Sequence, residues 1–412
     1  MKKITWHAEK RKTADLIPAD YNPRAMDAKE KDDLSRSVDD FGTAIPLVIN
    51  TGKRNNTLIG GHQRRTIYLE KGIDEIEVMV PDRELTLKEE KTLNLRLNKN
   101  TGHFDKAMLP DFGQEILLEV GFESQIVDGL FEDDEDEEDE YNFDEEVEKI
   151  VTPIAKRGDV YELGESRLMC GDSTSASDML TLMNGQLADM VFTDPPYNMN
   201  YKSHTKGGIL NDHMEDTAFV EFSEAFILQL KECCKVGAPY YICSGYNSYV
   251  PFRYALEAVG LNFSGVIVWA KNSLGMGMND YRHQHELILK AKKEVKEKKK
   301  KAGTMIYGWN GGRHFFSGGH DEADVWNLSR RGSNSMCHPT QKPIPLVNRA
   351  IRNSSKHGEI VLDLFGGSGS TLISAVKTGR KAYICEMDEK YVDTIIKRWE
   401  SLTNQKAIKI NK

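Results

Sequence analysis

A chain of 412 residues exceeds one ordinary core, so two domains are the starting expectation. With 39% hydrophobic and 29% charged residues, no apolar run near the roughly eighteen residues of a membrane span, and charge interrupting the first residues where a signal peptide would be apolar, a soluble cytoplasmic protein is expected. The net charge of −9 argues against a nucleic-acid partner until its distribution is considered.

In chain order, residues 45–50 read as a short strand and 55–59 as its hairpin partner. Gly60-Gly61-His62-Gln63-Arg64-Arg65 opens a helical stretch to Glu70, residues 76–80 form another strand, and 89–97 look helical, together a small α+β unit. Residues 132–140 are nine consecutive carboxylates, and Asp144, Glu145, Glu146 and Glu148 bring the total to thirteen; without these thirteen the rest of the chain carries +4. Such a run repels itself and buries no apolar area, so it reads as a solvated linker. The expected division is a domain at 1–130, an acidic linker at 131–149 and a second domain at 150–412.

After the linker, strands at 189–193, 239–243 and 263–269 alternate with helices at 219–234 and 248–259. Near the end, strands at 359–364 and 381–385 alternate with helices at 370–377 and 389–402. This alternation indicates an α/β fold with a parallel sheet covered on both faces, and ligands in such sheets sit outside the carboxyl ends of the strands. Six cysteines (Cys170, Cys233, Cys234, Cys243, Cys337, Cys385) lack CxxC spacing and read as reduced, mostly buried thiols.

Two motifs fall at strand ends. The first, Asp194-Pro195-Pro196-Tyr197, follows an apolar strand directly. Its prolines fix the backbone and leave carbonyls free. The Asp194 carboxylate and the Pro195 carbonyl can therefore accept hydrogen bonds from an exocyclic amine, whose lone pair is otherwise delocalised into a base. Holding its two protons favours a pyramidal nitrogen aimed at a methyl donor, with Tyr197 stacking on a base that has left the duplex. A strand-ending Pro-Pro turn is the plain alternative.

The second motif, residues 361–371, is a strand, the glycine turn Phe365-Gly366-Gly367-Ser368-Gly369, and a helix start. Glu386 ends the next strand, seventeen residues after Gly369, where an acid can grip a ribose diol. No lysine precedes Ser370 or Thr371, so the turn does not match a phosphate loop and suits an adenosyl ligand without phosphates.

With both motifs in hand, residues 157–403 closely resemble the DNA amino-methyltransferases, in the circularly permuted order called the β class. The resemblance rests on Asp194–Tyr197 preceding Phe365–Gly369, with His338-Pro339-Thr340-Gln341-Lys342-Pro343 between them. It rests also on Gly171-Asp172 and on the 281–286 segment that follows Trp269-Ala270-Lys271. It implies a Rossmann-like methyltransferase sheet, S-adenosyl-L-methionine as cofactor, and double-stranded DNA as partner. Asp194, Pro195, Pro196 and Tyr197 would be catalytic. Asp172, Lys342, Asp363, Phe365, Gly367, Gly369, Thr371 and Glu386 would bind the cofactor. An aspartate heading the tetrapeptide favours adenine N6; serine is commoner in cytosine N4 enzymes, which remain the second reading.

The segment between the middle strands and residue 338 carries target recognition in that family. Lys292, Lys293, Lys296, Lys298–Lys301, Arg313, Arg330 and Arg331 are therefore candidates for phosphate contact. Tyr307, Trp309, Phe315 and Phe316 are candidates for stacking or for core. His283, His285 and His338 lack metal-ligand spacing and read as hydrogen-bonding residues, so no metal is expected.

The front domain resembles the ParB/sulfiredoxin-like fold through Asn22-Pro23-Arg24, Phe41-Gly42, the Gly60–Arg65 box and residues 94–100. His62 stands where that family commonly has glutamate, which argues against nucleotide hydrolysis, and the lack of a cysteine before residue 170 excludes sulfiredoxin chemistry. An accessory domain contacting DNA or nucleotide is expected, a structural module being the alternative. Two rival functions are a protein or RNA methyltransferase, which usually begins the tetrapeptide with asparagine and places the glycine box first, and a non-catalytic partition-type DNA binder.

Overall fold

The computed structural model describes residues 3–23, 26, 28–98, 104, 108–135, 141–199, 212–270, 285–292, 323–327 and 341–410. The chain divides into two units, Met1–Glu132 and Asp133–Lys412.

The first unit runs β1 (Trp6–Lys12), β2 (Ile17–Pro18), α1 (Ala28–Phe41), β3 (Leu47–Ile49), β4 (Thr57–Gly60), α2 (His62–Glu70), β5 (Glu75–Pro81), α3 (Leu87–Asn98), α4 (Gln114–Glu119) and α5 (Ser124–Glu135). Its sheet has the order β1-β5-β3-β4-β2. Along β5, Ile76, Val78 and Val80 are buried while Glu75 and Glu77 face out, the period-two pattern of a half-covered sheet. The turn between β3 and β4 is closed by Asn56, an asparagine in the left-handed region (φ 63°).

Glu90, fully buried on α3, accepts two hydrogen bonds from the Arg54 guanidinium at 2.7 and 2.8 Å, one from Asn50 at 2.6 Å and one from the Tyr21 hydroxyl. A buried charge is tolerated only when its lone pairs are filled in this way. His62 is also tied internally. Burial first, and the nearby Arg65 charge second, push its imidazole down to about 4, and its Nε2 accepts the Ala19 N–H at 3.2 Å. The imidazole is therefore neutral and structural at neutral pH.

The second unit runs α6 (Phe143–Lys149), β6 (Val160–Leu163), β7 (Ser166–Cys170), α7 (Ala176–Met183), β8 (Met190–Thr193), α8 (Asp216–Cys233), β9 (Pro239–Ser244), α9 (Tyr249–Ala258), β10 (Asn262–Ala270), β11 (His285–Lys292), β12 (Val325–Asn327), α10 (Ile344–Ser354), β13 (Ile360–Asp363), α11 (Ser370–Lys377), β14 (Lys381–Glu386), α12 (Glu389–Thr403) and β15 (Ile408–Lys409). Among the described residues the sheet order is β12-β10-β11-β9-β8-β13-β14-β7-β6-β15. The α/β architecture expected from the sequence is present.

The five strands β9-β8-β13-β14-β7 are mutually parallel, as strand-helix alternation requires. The sheet departs from the all-parallel expectation outside them, because β11 inserts antiparallel between β9 and β10. Strands β6, β7, β11 and β12 were not anticipated from the sequence. The five residues of β7 are all buried, so it shows no alternation to mark it as a strand. One face of the sheet packs on Met179, Leu182, Phe226, Leu230 and Phe252 of α7–α9. The other packs on Leu346, Val347, Leu372, Ile395 and Trp399 of α10–α12. The cysteines of the described residues are buried thiols; Cys337 lies outside them.

The acidic linker requires correction. Residues 136–140 lie outside the described residues, but residues 143–149 are a packed helix. Phe143 and Val147 recur at i, i+4 and face the core, and Phe143, only 4% exposed, meets the Tyr391 ring edge-on at 5.3 Å. Asp144, Glu145 and Glu146 occupy the first turn, where they favour a helix electrostatically, and Asn142 caps it by accepting the Glu145 N–H. Phe143→Ala should therefore destabilise the second unit by about 3 kcal/mol in a denaturant titration, the usual cost of deleting a buried ring. A change below about 0.5 kcal/mol, the scale of an ordinary surface substitution, would return the segment to linker status.

Candidate active site

The site is built where the sheet's connections change direction. From β8 the chain winds one way, to β9; from β13 it winds the other way, to β14, and β8 and β13 are neighbours. In α/β sheets this leaves a crevice at the strands' carboxyl ends. Both motifs open there.

Asp363, at the end of β13, ties them together. Its Oδ1 accepts the Thr193 hydroxyl at 2.7 Å and the Phe365 N–H at 3.0 Å, and its Oδ2 accepts the Thr371 hydroxyl at 2.6 Å. One carboxylate thus fastens the tip of β8, the glycine turn and the first residues of α11. Burial pushes Asp363 up to about 7, against these hydrogen bonds and with a smaller push from the charge of Asp194.

Asp194 follows Thr193 directly. Its Oδ1 accepts the Tyr197 hydroxyl at 2.6 Å and its Oδ2 lies 2.6 Å from the Lys342 ammonium. The Tyr197 ring lies against Gly245, where a Cβ would come within 2.8 Å of Tyr197 Cδ2. Sequence reasoning missed Gly245; a glycine just past a buried strand end was the available signal.

In the glycine turn, a Cβ on Gly366 would stand 2.7 Å from the Ile384 side chain, so that position is closed to any larger residue. Gly367 and Gly369 hold φ of 51° and 82°, and Gly369 starts α11. The Gly367 N–H donates to Glu386 Oε2 at 2.7 Å, and the Asp388 N–H donates to Oε1 at 2.8 Å. Burial pushes Glu386 up to about 7 despite these backbone donors.

One cavity is lined by both motifs. Its walls include Asp194, Pro196 and Lys342 together with Asp363, Phe365, Gly367, Thr371 and Glu386. Phe143 and Tyr391 also line it, and Phe143 escaped sequence reasoning because the acidic run around it read as a linker. Two residues expected at the cofactor do not line the cavity. At residue 172 the lining comes from the neighbours Gly171 and Ser173, while the Asp172 carboxylate turns back to the Thr174 N–H and hydroxyl at 2.9 and 2.7 Å. Gly369 packs on Ile395 rather than lining the cavity. Thr371 lines it, but its hydroxyl is committed to Asp363. Pro195 lies between the lining residues Asp194 and Pro196, and Tyr197 follows them.

Among the described residues no group of three or more His, Cys, Asp or Glu could hold a metal ion, and no helix is long and apolar enough to cross a membrane. His283 and His338 lie outside the described residues, as do Lys293, Lys296, Lys298–Lys301, Arg313, Arg330, Arg331, Tyr307, Trp309, Phe315, Phe316 and Arg24.

A model of the N6/N4 type, described as a DNA methylase, matches residues 188–398. The chain is 29% identical over 255 residues to the type II methyltransferase M.HpaI of Haemophilus parainfluenzae, covering 58% of this chain and 76% of that protein. It is 28% identical over 249 residues to the type II methyltransferase M2.DpnII of Streptococcus pneumoniae, covering 54% and 86%. Among solved structures, the M1.HpyAVI–SAM complex is similar with a TM-score of 0.40 and 22% identity, covering 56% of this chain and 98% of that one.

Proposed function

The chain belongs to the N6/N4 DNA methylase family, and from that premise we propose that it transfers a methyl group from S-adenosylmethionine to the exocyclic N6 of an adenine flipped out of double-stranded DNA. The observation that carries this reading is the single cavity shared by the Asp194 box and by the glycine turn with Glu386.

The residues present suit the donor. A buried carboxylate fits a ribose diol, Gly367 lets a ligand approach the backbone, and Phe365, Phe143 and Tyr391 offer aromatic surface. When bound, S-adenosylmethionine supplies an electrophilic methyl group on a cationic sulfur. The protein's part is orientation and charge. Asp194 and the Pro195 carbonyl accept the two amine protons, which frees the nitrogen lone pair from the ring and aims it. As the nitrogen becomes cationic, the Asp194 carboxylate stabilises the developing charge and receives the departing proton.

Aspartate at the head of the tetrapeptide favours adenine; cytosine N4 is the second reading on the same geometry. For the first unit we propose an accessory role in contacting DNA or nucleotide through Arg64 and Arg65, which stand at the start of α2. Incubation of the protein with DNA and methyl-labelled S-adenosylmethionine, followed by digestion and mass spectrometry of the nucleosides, tests the main reading. N6-methyladenine is expected. N4-methylcytosine would replace the base assignment, and label absent from DNA would overturn the function.

A further inference from the structure

We propose that Lys342 is a positioning residue for Asp194, holding the amine-accepting carboxylate in its rotamer and in its ionised state, rather than a contact to the cofactor. This rests on the reading of Asp194 given above. The resemblance of the chain to amino-methyltransferases placed Lys342 with the cofactor; the geometry places its charge on the other half of the site.

The Lys342 side chain is only 8% exposed, and its Nζ lies 2.6 Å from Asp194 Oδ2 and 5.5 Å from the centroid of the Tyr197 ring. With the Tyr197 hydroxyl on Oδ1 and the Lys342 ammonium on Oδ2, both oxygens of Asp194 are pinned. The ammonium is delivered by a rigid element. Lys342 immediately precedes Pro343, the N-cap of α10, and α10 is anchored in the core by Leu346, Val347, Ala350 and Ile351. A Tyr197 hydroxyl alone would leave the carboxylate free to rotate about the Cβ–Cγ bond; a second donor from a separate packed element prevents this.

The charges lining the cavity give the second argument. Among its described lining residues the acids are Asp194, Asp363, Glu386 and Asp388, and the only cation is Lys342. Asp363 lies close enough to Asp194 that the two affect one another. A protonated Asp194 would present an O–H to the amine on one oxygen and could no longer take up the departing proton. An ammonium at hydrogen-bond distance counters that tendency directly.

The test uses the full chain with Lys342→Met, Lys342→Gln and Lys342→Arg. Turnover at saturating DNA and S-adenosylmethionine is followed against pH, and cofactor affinity is measured by calorimetry. For the Met and Gln variants, turnover at pH 7 should fall roughly tenfold or more, and the acid limb of the profile should move to higher pH by about one unit or more. The direction follows because loss of the cation makes the carboxylate harder to ionise, so a higher pH is needed to reach the active form. Cofactor affinity should stay within about threefold, and Lys342→Arg should restore the position of the limb. Gln retains a polar head, so it carries the test if the Met variant fails to fold.

Cofactor affinity weakened tenfold or more, with saturated turnover and its pH profile unchanged, would assign Lys342 to the cofactor and overturn the proposal. Reduced turnover with an unmoved acid limb and no rescue by arginine would leave the ammonium a merely structural role and would overturn it equally. Asp194→Asn is the control on the underlying reading. If that variant turns over at the wild-type rate, the assignment of Asp194 itself fails; if it is inactive while the Lys342 variants behave as wild type, only the role of Lys342 fails.

Discussion

Asp194→Ala should lower methyl transfer by roughly a thousandfold or more while changing cofactor affinity only a few-fold. The size of the effect follows from the two tasks that converge on one carboxylate. On the proposed reading it would orient the amine and face the positive charge that grows on nitrogen. The expected separation from cofactor binding follows from geometry. The carboxylate is tied to Tyr197 and Lys342, whereas the diol-binding candidate Glu386 is tied to the glycine turn and to Asp388. The substitution also removes a partner from the largely buried Lys342, so some loss of thermal stability accompanies it. Labelled-methyl transfer at saturating DNA, with calorimetric titration of the cofactor, measures both quantities. Turnover within about tenfold of wild type would show that another group holds the amine.

Glu386→Ala should weaken S-adenosylmethionine binding by about 1.5–3 kcal/mol, or roughly ten- to a hundredfold, the range of a charge-assisted contact to a neutral hydroxyl pair. A pH dependence accompanies this. Burial pushes Glu386 up to about 7, and the ionised carboxylate is the better acceptor for a diol. Wild-type affinity should therefore strengthen as pH rises through about 7. Glu386→Gln should lose most of that dependence, leaving the share contributed by Asp363, which burial also pushes up to about 7. The same shifts bear on stability. Both acids hold protons in the folded chain that they release when it unfolds, so in the cofactor-free protein they favour the fold most below about pH 4. That contribution diminishes as pH rises towards 7. Cofactor affinity in Glu386→Ala equal to wild type across pH 6–8 would place the ribose elsewhere in the cavity.

Much of this protein was legible in its sequence, for local physical reasons. Two short motifs carry their own geometry: prolines after Asp194 fix the backbone, and glycines at 366, 367 and 369 mark a turn that larger side chains cannot adopt without strain or collision. The helices at α8, α11 and α12 and the strands β8, β9, β13 and β14 announced themselves by periodicity and by the turns between them. Glu386 stood out by its place at the next strand end after the glycine turn, and the structure seats it against the Gly367 N–H.

The remainder depended on which elements become neighbours. The adjacency of β8 and β13, some 170 residues apart in the chain, is a matter of strand order, and through it the Thr193 hydroxyl reaches Asp363 and the two motifs share one cavity. Insertion of β11 between β9 and β10 depends on pairing partners that no local pattern specifies. Composition misled at residues 143–149. Charge density implied a solvated spacer, but two apolar residues at helical spacing suffice to dock a helix once Tyr391 and the α12 surface are there to receive them. Lys342 shows the same division. A lysine before a proline is visible in the sequence, but that its ammonium lies 2.6 Å from Asp194 Oδ2 depends on where α10 docks beside β8.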